Sequence, residues 1–390
     1  MINRNRLVQE FLRLVRIDST SGKEAAIAEY LKQVFTGMDA HIFEDGAGKA
    51  AGSNANNLIV RMPGKAAGLP PLMFNAHLDT VEPGTDINVV ETDGILKSDG
   101  RTILGADDKS GIAILIEVLR VLKESNTTCA PIELVFTISE ETGLWGAKYL
   151  DYGLLESRMG YALDTSSVTR IISGAPEANT LSIRINGLAA HAGLEPEKGI
   201  NAIQLAGEAL AQMQLGRIDY ETTANIGLIS GGTARNIVPE QVFLKGEVRS
   251  HNKDKLDRQT AQIRDCLDRT ISNYRAERKI EGDLPSWTMD VDLDYPLMKV
   301  PDDHPAVSLA REAGRSLERE LVPEKSGGGS DANVFNAHGI TTVILGTGMQ
   351  MVHTTNEFIK IDDMVQAAEL ILKMILLYSE EVGSQGVCRT

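Results

Sequence analysis

Five short segments carry imidazole and carboxylate side chains at the density that hydrolytic metal chemistry would need. They are Asn75-Ala-His77-Leu-Asp79, Gly105-Ala-Asp107-Asp108-Lys109, Ser139-Glu140-Glu141-Thr142-Gly143, Ala162-Leu-Asp164 and Met351-Val-His353. Imidazole with carboxylate, and no thiolate, suits zinc, and also cobalt or manganese. Two histidines and three carboxylates suffice for two ions if one carboxylate bridges, and such a pair acidifies a shared water and stabilises attacking and leaving groups. One further carboxylate must stay uncoordinated to act as base. Adjacent residues on an extended segment face opposite ways, so of Glu140 and Glu141 one can ligate while the other serves.

Taken singly, each segment has an ordinary explanation. His77 and Asp79 could be a surface detail, Asp107 and Asp108 could cap the helix that follows, Glu140 and Glu141 could be a solvated pair, and His353 a partly buried histidine. What argues for a site is their joint occurrence after successive strand signals.

The elements that must position them follow from periodicity. Apolar runs at 57–62, 72–76, 133–139 and 160–163 predict strands, and 109–122 predicts a helix. Ser21 with Glu24 predicts a capping box ahead of a helix bearing Ile27, Tyr30, Leu31 and Val34. Strands alternating with helices predict an α/β fold, a mostly parallel sheet flanked by helices. In such sheets ligands bind outside the carboxyl ends of the strands, where His77, Glu140, Glu141 and Asp164 fall. Near residue 177 the pattern changes. Segments 181–185, 241–248 and 288–293 alternate like half-exposed antiparallel strands, with helices at 201–214 and 254–276, the content of an α+β sandwich. After 296 the α/β texture returns: a helix at 304–315, a glycine loop at 326–330, a strand at 341–345 and a terminal helix. The expected organisation is a catalytic domain in two parts, 1–177 and 296–390, with an inserted domain at 178–295.

Bulk properties remove partners more readily than they name them. The 390 residues carry 39 Lys and Arg against 54 Asp and Glu, a net charge of −15. That repels nucleic acid and anionic membrane surfaces, and neither is expected as a partner. The N-terminal stretch 3–10 is charged and amphipathic, unlike a signal peptide. The apolar stretch 364–378 is too short to span a bilayer and carries Gln366, Glu369 and Lys373, so it reads as a core helix. Cys129, Cys266 and Cys388 form no CxxC pattern, which fits a reducing cytoplasm.

The order HLD, GADDKSG, EETG, LD and H resembles the two-zinc metallopeptidase family that includes peptidase T, carboxypeptidase G and the aminoacylases. The resemblance spans essentially the whole chain and is strongest to peptidase-T-like members. It implies that Asp107 bridges two zinc ions, that His77 and Asp164 complete one, and that Glu141 and His353 complete the other. It also implies that Asp79 orients His77, that Glu140 moves a proton from the attacking water to the leaving amine, and that the Asp107–Asp108 peptide is cis. Gly187-Leu-Ala-Ala-His191-Ala-Gly193 resembles the family's lid motif, whose histidine reaches a neighbouring subunit, implying a homodimer formed through a lid and dimerisation domain. Asn236 and Arg249 match segments that bind substrate carbonyl or carboxylate groups; a surface salt bridge is the competing reading for Arg249. The loop 326–331 resembles one whose backbone amides face the substrate. The implied activity is removal of the N-terminal residue from small peptides, tripeptides in peptidase-T-like members. Because 231–239 looks more like carboxypeptidases and deacylases, N-acyl amino acid hydrolysis or carboxypeptidase action stays open. An inactive metal-binding scaffold is the remaining alternative, and no ligand or base is missing to favour it.

Overall fold

Burial on both faces explains why the strands of the first part read as unbroken apolar runs. In a computed structural model that describes residues 1–64 and 68–385, Leu58 and Val60, Leu72 and Phe74, and Leu134 and Phe136 enter one core, while the intervening Ile59, Met73 and Val135 enter another on the opposite face. Cys388 lies outside the described residues. Each of these strands therefore carries apolar side chains on both faces, as a sheet covered on both sides demands.

The chain forms two compact units, one of Met1–Ala175 together with the chain from Met298 onward, the other Pro176–Leu297. The first holds a nine-stranded sheet in the order His41–Glu44, Leu58–Met62, Ile132–Thr137, Leu72–His77, Met159–Thr165, Thr341–Gly346, Arg170–Ala175, Met298–Lys299, with Val322–Lys325 also alongside Arg170–Ala175. Its four central strands, Ile132–Thr137 to Thr341–Gly346, run parallel, and the outer pairings are mostly antiparallel. The expected α/β fold is present.

Helix Ala106–Glu124 packs Ile112, Leu115, Ile116 and Leu119 into the larger core, and it is almost wholly buried. Truncating one such leucine to alanine typically costs about 2–5 kcal/mol. Helix Arg4–Val15 starts where the Asn3 side chain accepts the Arg6 N–H, and buries Leu7, Phe11 and Leu14. The predicted capping box at Ser21 and Glu24 does not form. Helix Ala25–Thr36 has no side-chain cap, because Ser21 donates to Asp79 and Glu24 accepts from Gly22 and Ser139 instead. A smaller sheet joins the hairpin Val89–Thr92 and Ile95–Ser98 to Phe358–Lys360 and Met349–Gln350. Asp93 and Gly94 both take positive φ (51° and 75°) at its two-residue turn, as a twisted hairpin requires. The last two strands bracket the loop that carries His353.

The second unit is a five-stranded antiparallel sheet in the order Gly216–Arg217, Thr222–Gly231, Gln241–Ser250, Glu177–Asn186, Ser286–Tyr295. Leu181, Ile183 and Ile185 alternate with more exposed residues and pack with Val242, Leu244 and Val248 under helices Ala202–Leu210 and Lys253–Arg278. Asn201 and Asn252 cap those helices by accepting the N–H groups of Gln204 and Lys255. Among the described residues no helix is long and apolar enough to cross a membrane.

Candidate metal centre

His77 closes strand Leu72–His77, and Asp164 sits near the end of Met159–Thr165. Asn75 pairs with Ala162, so His77 and Asp164 lie two residues further along neighbouring parallel strands and project to the same face. Glu140 and Glu141 follow the end of Ile132–Thr137, and Asp107 lies in the first turn of Ala106–Glu124. Four elements thus deliver their carboxylates and imidazole to one end of the sheet.

There the side chains converge. One donor atom each from His77, Asp107 and Glu141 falls within 4.8 Å of the others. His77 Nε2 lies 2.9 Å from Asp107 Oδ1, while His353 Nε2 lies 3.2 Å from Asp107 Oδ2 and 3.0 Å from Glu141 Oε2. Asp107 therefore stands between two imidazoles that come from chain segments far apart in sequence. The other ring nitrogen of His77 faces Asp79, at 3.0 Å from its carbonyl oxygen and 3.4 Å from Oδ1. Asp79 also accepts the N–H groups of Glu140 (2.9 Å) and Glu141 (3.2 Å) and the Ser21 hydroxyl (2.6 Å).

The capping explanation for Asp107 and Asp108 is half right. Asp108 Oδ1 accepts the Gly111 N–H at 3.2 Å, a helix cap, while its Oδ2 accepts the His77 backbone N–H. Asp107 takes no part in that cap and faces the histidines. The peptide between them is cis.

Charge is concentrated here far beyond what two histidines balance. Burial, with Asp164, Asp331 and Glu141 nearby, holds the Glu140 carboxyl well above the usual range. Burial and then Asp107 do the same to Asp164. Burial also raises Glu141. For Asp107 burial opposes ionisation, but hydrogen bonds to His353 and His77 outweigh it and hold its carboxyl low. Hydrogen bonds to Asp107 and Glu141 push the His353 imidazole up to about 10. Glu141 Oε1 is buried with no hydrogen-bond partner, a costly arrangement that a cation would relieve. An all-oxygen-and-nitrogen donor set with an uncompensated carboxylate oxygen fits divalent metal ions.

Sequence reasoning passed over several contributors. Asp331 opens helix Asp331–Ala337, is buried, and accepts the Thr137 hydroxyl at 2.5 Å, with burial raising its carboxyl to about 6. Glu24 accepts the Ser139 N–H and hydroxyl, both at 3.0 Å, just ahead of Glu140. Glu357 accepts the N–H groups of Leu104, Gly105 and Asp107. For Glu357 the only local signal is its place four residues after His353.

His191, Asn236 and Arg249 lie in the second unit. There His191 and Asn236 are neighbours: His191 pairs with Ile237 in an isolated bridge, and Asn236 accepts the Ala192 N–H at 3.0 Å. Arg249 donates to Glu247 at 2.8 Å, with its guanidinium 6.0 Å from the Tyr295 ring centre.

Residues 73–377 match the model of peptidase family M20/M25/M40. The chain is 40% identical to protein YqjE of Bacillus subtilis strain 168 over 376 residues, 96% of this chain and 99% of that one. Among solved structures it resembles a tripeptidase from Staphylococcus aureus Mu50, with a TM-score of 0.90 and 39% identity, over 97% of this chain and all (100%) of that one. It also resembles the aminopeptidase PepT from Bacillus cereus ATCC 10987, with a TM-score of 0.87 and 41% identity, over 97% and 99% of the two chains. With most of its length matched by the family model, this chain belongs to peptidase family M20/M25/M40.

Proposed function

We propose that the chain is a two-zinc aminopeptidase that removes the N-terminal residue from tripeptides and similarly small peptides. The observation that carries this reading is the convergence of His77, Asp107, Glu141 and His353 beside Glu140. Its similarity to a tripeptidase and to an aminopeptidase sets the substrate class. In this proposal Asp107 would be shared by the two ions, His77 and Asp164 would hold one, and Glu141 and His353 would hold the other. Cobalt or manganese would suit the same donors. Two bound ions lower the pKa of water and take up negative charge as an amide is attacked.

The chain's own groups do the rest. Glu140 takes a proton from the attacking water and returns it to the leaving amine, acting as general base and then general acid. Asp79 holds the His77 ring and the backbone of Glu140 and Glu141. His191, from a neighbouring subunit, donates to the carbonyl oxygen as charge develops on it. Asn236 and Arg249 contact substrate carbonyl and carboxylate groups.

Homodimerisation through the inserted unit is part of this proposal. Along the outer edge of Thr222–Gly231, Gly216 and Arg217 pair with Ala224 and Thr223, so among the described residues 226–231 have no strand on that side. Leu228 and Ile229 are 66% and 57% exposed there. An open edge with exposed apolar side chains is suited to pairing with a second copy. A cytoplasmic location completes the reading, on the cysteine pattern.

Substrate profiling tests it. Metal-loaded protein should cleave a free-amine tripeptide faster than an N-acyl amino acid or an N-blocked dipeptide. Preference for either blocked substrate would replace this reading with deacylase or carboxypeptidase action, for which residues 231–239 give the sequence motive.

A further inference from the structure

We propose that Glu357 is a positioning residue of the metal centre: it fastens the segment bearing Asp107 to the segment bearing His353, and so sets the cation position that Asp107, Glu141 and His353 share. This rests on the two-metal reading above.

Glu357 is fully buried, and both of its carboxylate oxygens are in use. Oε2 accepts the N–H groups of Leu104 at 2.7 Å and Gly105 at 2.8 Å, and Oε1 accepts that of Asp107 at 3.1 Å. Burial raises this carboxyl to about 7 while the three backbone donors pull it back down, and in the ionised form they make charge-assisted hydrogen bonds, the stronger kind. The segment they gather departs from helical geometry, since Gly105 has φ +74° and Asp107 and Asp108 are non-helical although the helix has begun, and side chains hold it: Glu357 on one side and, through His77 and Gly111, Asp108 on the other. On the other side, Glu357 closes a tight turn, its N–H donating to Thr354 O at 3.1 Å. Met351 and His353, just before that turn, have φ of 52° and 62°, a conformation that needs support from its surroundings. The distances from His353 to Asp107 and Glu141 thus depend on one carboxylate joining chain segments some 250 residues apart.

Three features separate positioning from ligation or general structure. Both oxygens of Glu357 point at backbone amides, so neither is offered to a cation. Its contacts end on Asp107 itself. The other candidate cation position shares Asp107, but its own two groups, His77 and Asp164, are placed by Asp79 and the parallel strands and make no contact with Glu357.

Glu357→Gln is the first test, because it keeps shape but turns an amide donor toward either the Asp107 N–H or the Leu104 and Gly105 N–H groups. Zinc titration of the metal-stripped protein should show the cation at Glu141 and His353 bound about 10–100-fold more weakly, the usual effect of losing a group that orients ligands, and the cation at His77 and Asp164, which shares only Asp107, weakened less. Turnover of a tripeptide should recover at excess zinc with KM unchanged, and Glu357→Asp should be intermediate. Wild-type affinity for both cations in Glu357→Gln would overturn the proposal. Hydrogen exchange on the unmodified protein provides a test that needs no variant. The amides of Leu104, Gly105 and Asp107 should be protected in stripped and loaded protein alike. Protection that appears only on loading would show that the cations, not Glu357, order the segment. Binding of no more than one cation by the wild type would overturn the two-metal reading and this proposal with it. That failure is recognised by its appearing in the wild type before any variant is made.

Discussion

Asp79 Oδ1 accepts the backbone N–H of Glu140 at 2.9 Å while its carbonyl oxygen stands 3.0 Å from His77 Nδ1. One buried residue therefore sets both the ring of a candidate ligand and the backbone of the candidate base. Its Oδ2 is equally committed, to Ser21 and to the Glu141 N–H. An amide in place of this carboxylate must point its NH2 group at a backbone donor whichever way it turns.

Asp79→Asn is accordingly expected to cost about 1–3 kcal/mol of stability, the penalty for unmatched buried donors. It should also lower metal affinity or activity about 10–100-fold, through the Glu140 and Glu141 backbone that the carboxylate holds and through its Oδ1, 3.4 Å from His77 Nδ1. Thermal melts and a zinc titration check both. A variant with wild-type melting and wild-type affinity would show that the Asp79 carboxylate orients nothing.

Glu140 and Glu141 should separate cleanly. Glu140→Gln is expected to keep both cations yet lose about 10²–10⁴-fold in turnover, the usual worth of general acid–base work. Glu141→Gln should weaken one cation, since its Oε2 faces His353. Near-normal turnover in Glu140→Gln would refute the assignment of the base.

Subunit complementation tests the role of His191. His191→Ala should lower turnover about 10²–10³-fold, as loss of an oxyanion donor does. Inactive His191→Ala and Glu140→Gln chains, dissociated and reassociated, should regain part of the activity. Proven heterodimers without recovery would exclude a histidine acting across subunits.

The parts of the fold that sequence revealed are those whose burial leaves a periodic trace. Leu72–His77 and Ile132–Thr137 are buried at every position, and their apolar runs announce them. Glu177–Asn186 and Gln241–Ser250 alternate because helices cover one face. Thr222–Gly231 left no such trace: a register shift interrupts it between Ile226 and Leu228, and residues 227–231 are exposed. The hairpin at Asp93-Gly94 carries a turn signal, but its strands are four residues each and the first is mostly exposed. The Ser21 and Glu24 spacing misled for a different reason. Both side chains turn to residues more than 50 positions away, Asp79 and Ser139, and no local pattern encodes such partners. Glu357 is the extreme case, since its partners lie 250–253 residues earlier. The ligand-type residues could be read because their chemistry demands rare residue types at strand ends. The carboxylates that hold their backbones could not, because any buried acid looks alike in sequence.

The most direct measurement of the central claim is the metal content of the loaded wild-type chain, by elemental analysis and by titration of stripped protein. A bridging Asp107 predicts about two ions per chain, and Asp107→Ala should weaken both. Stoichiometric binding of no more than one ion to fully loaded wild-type protein would contradict the account.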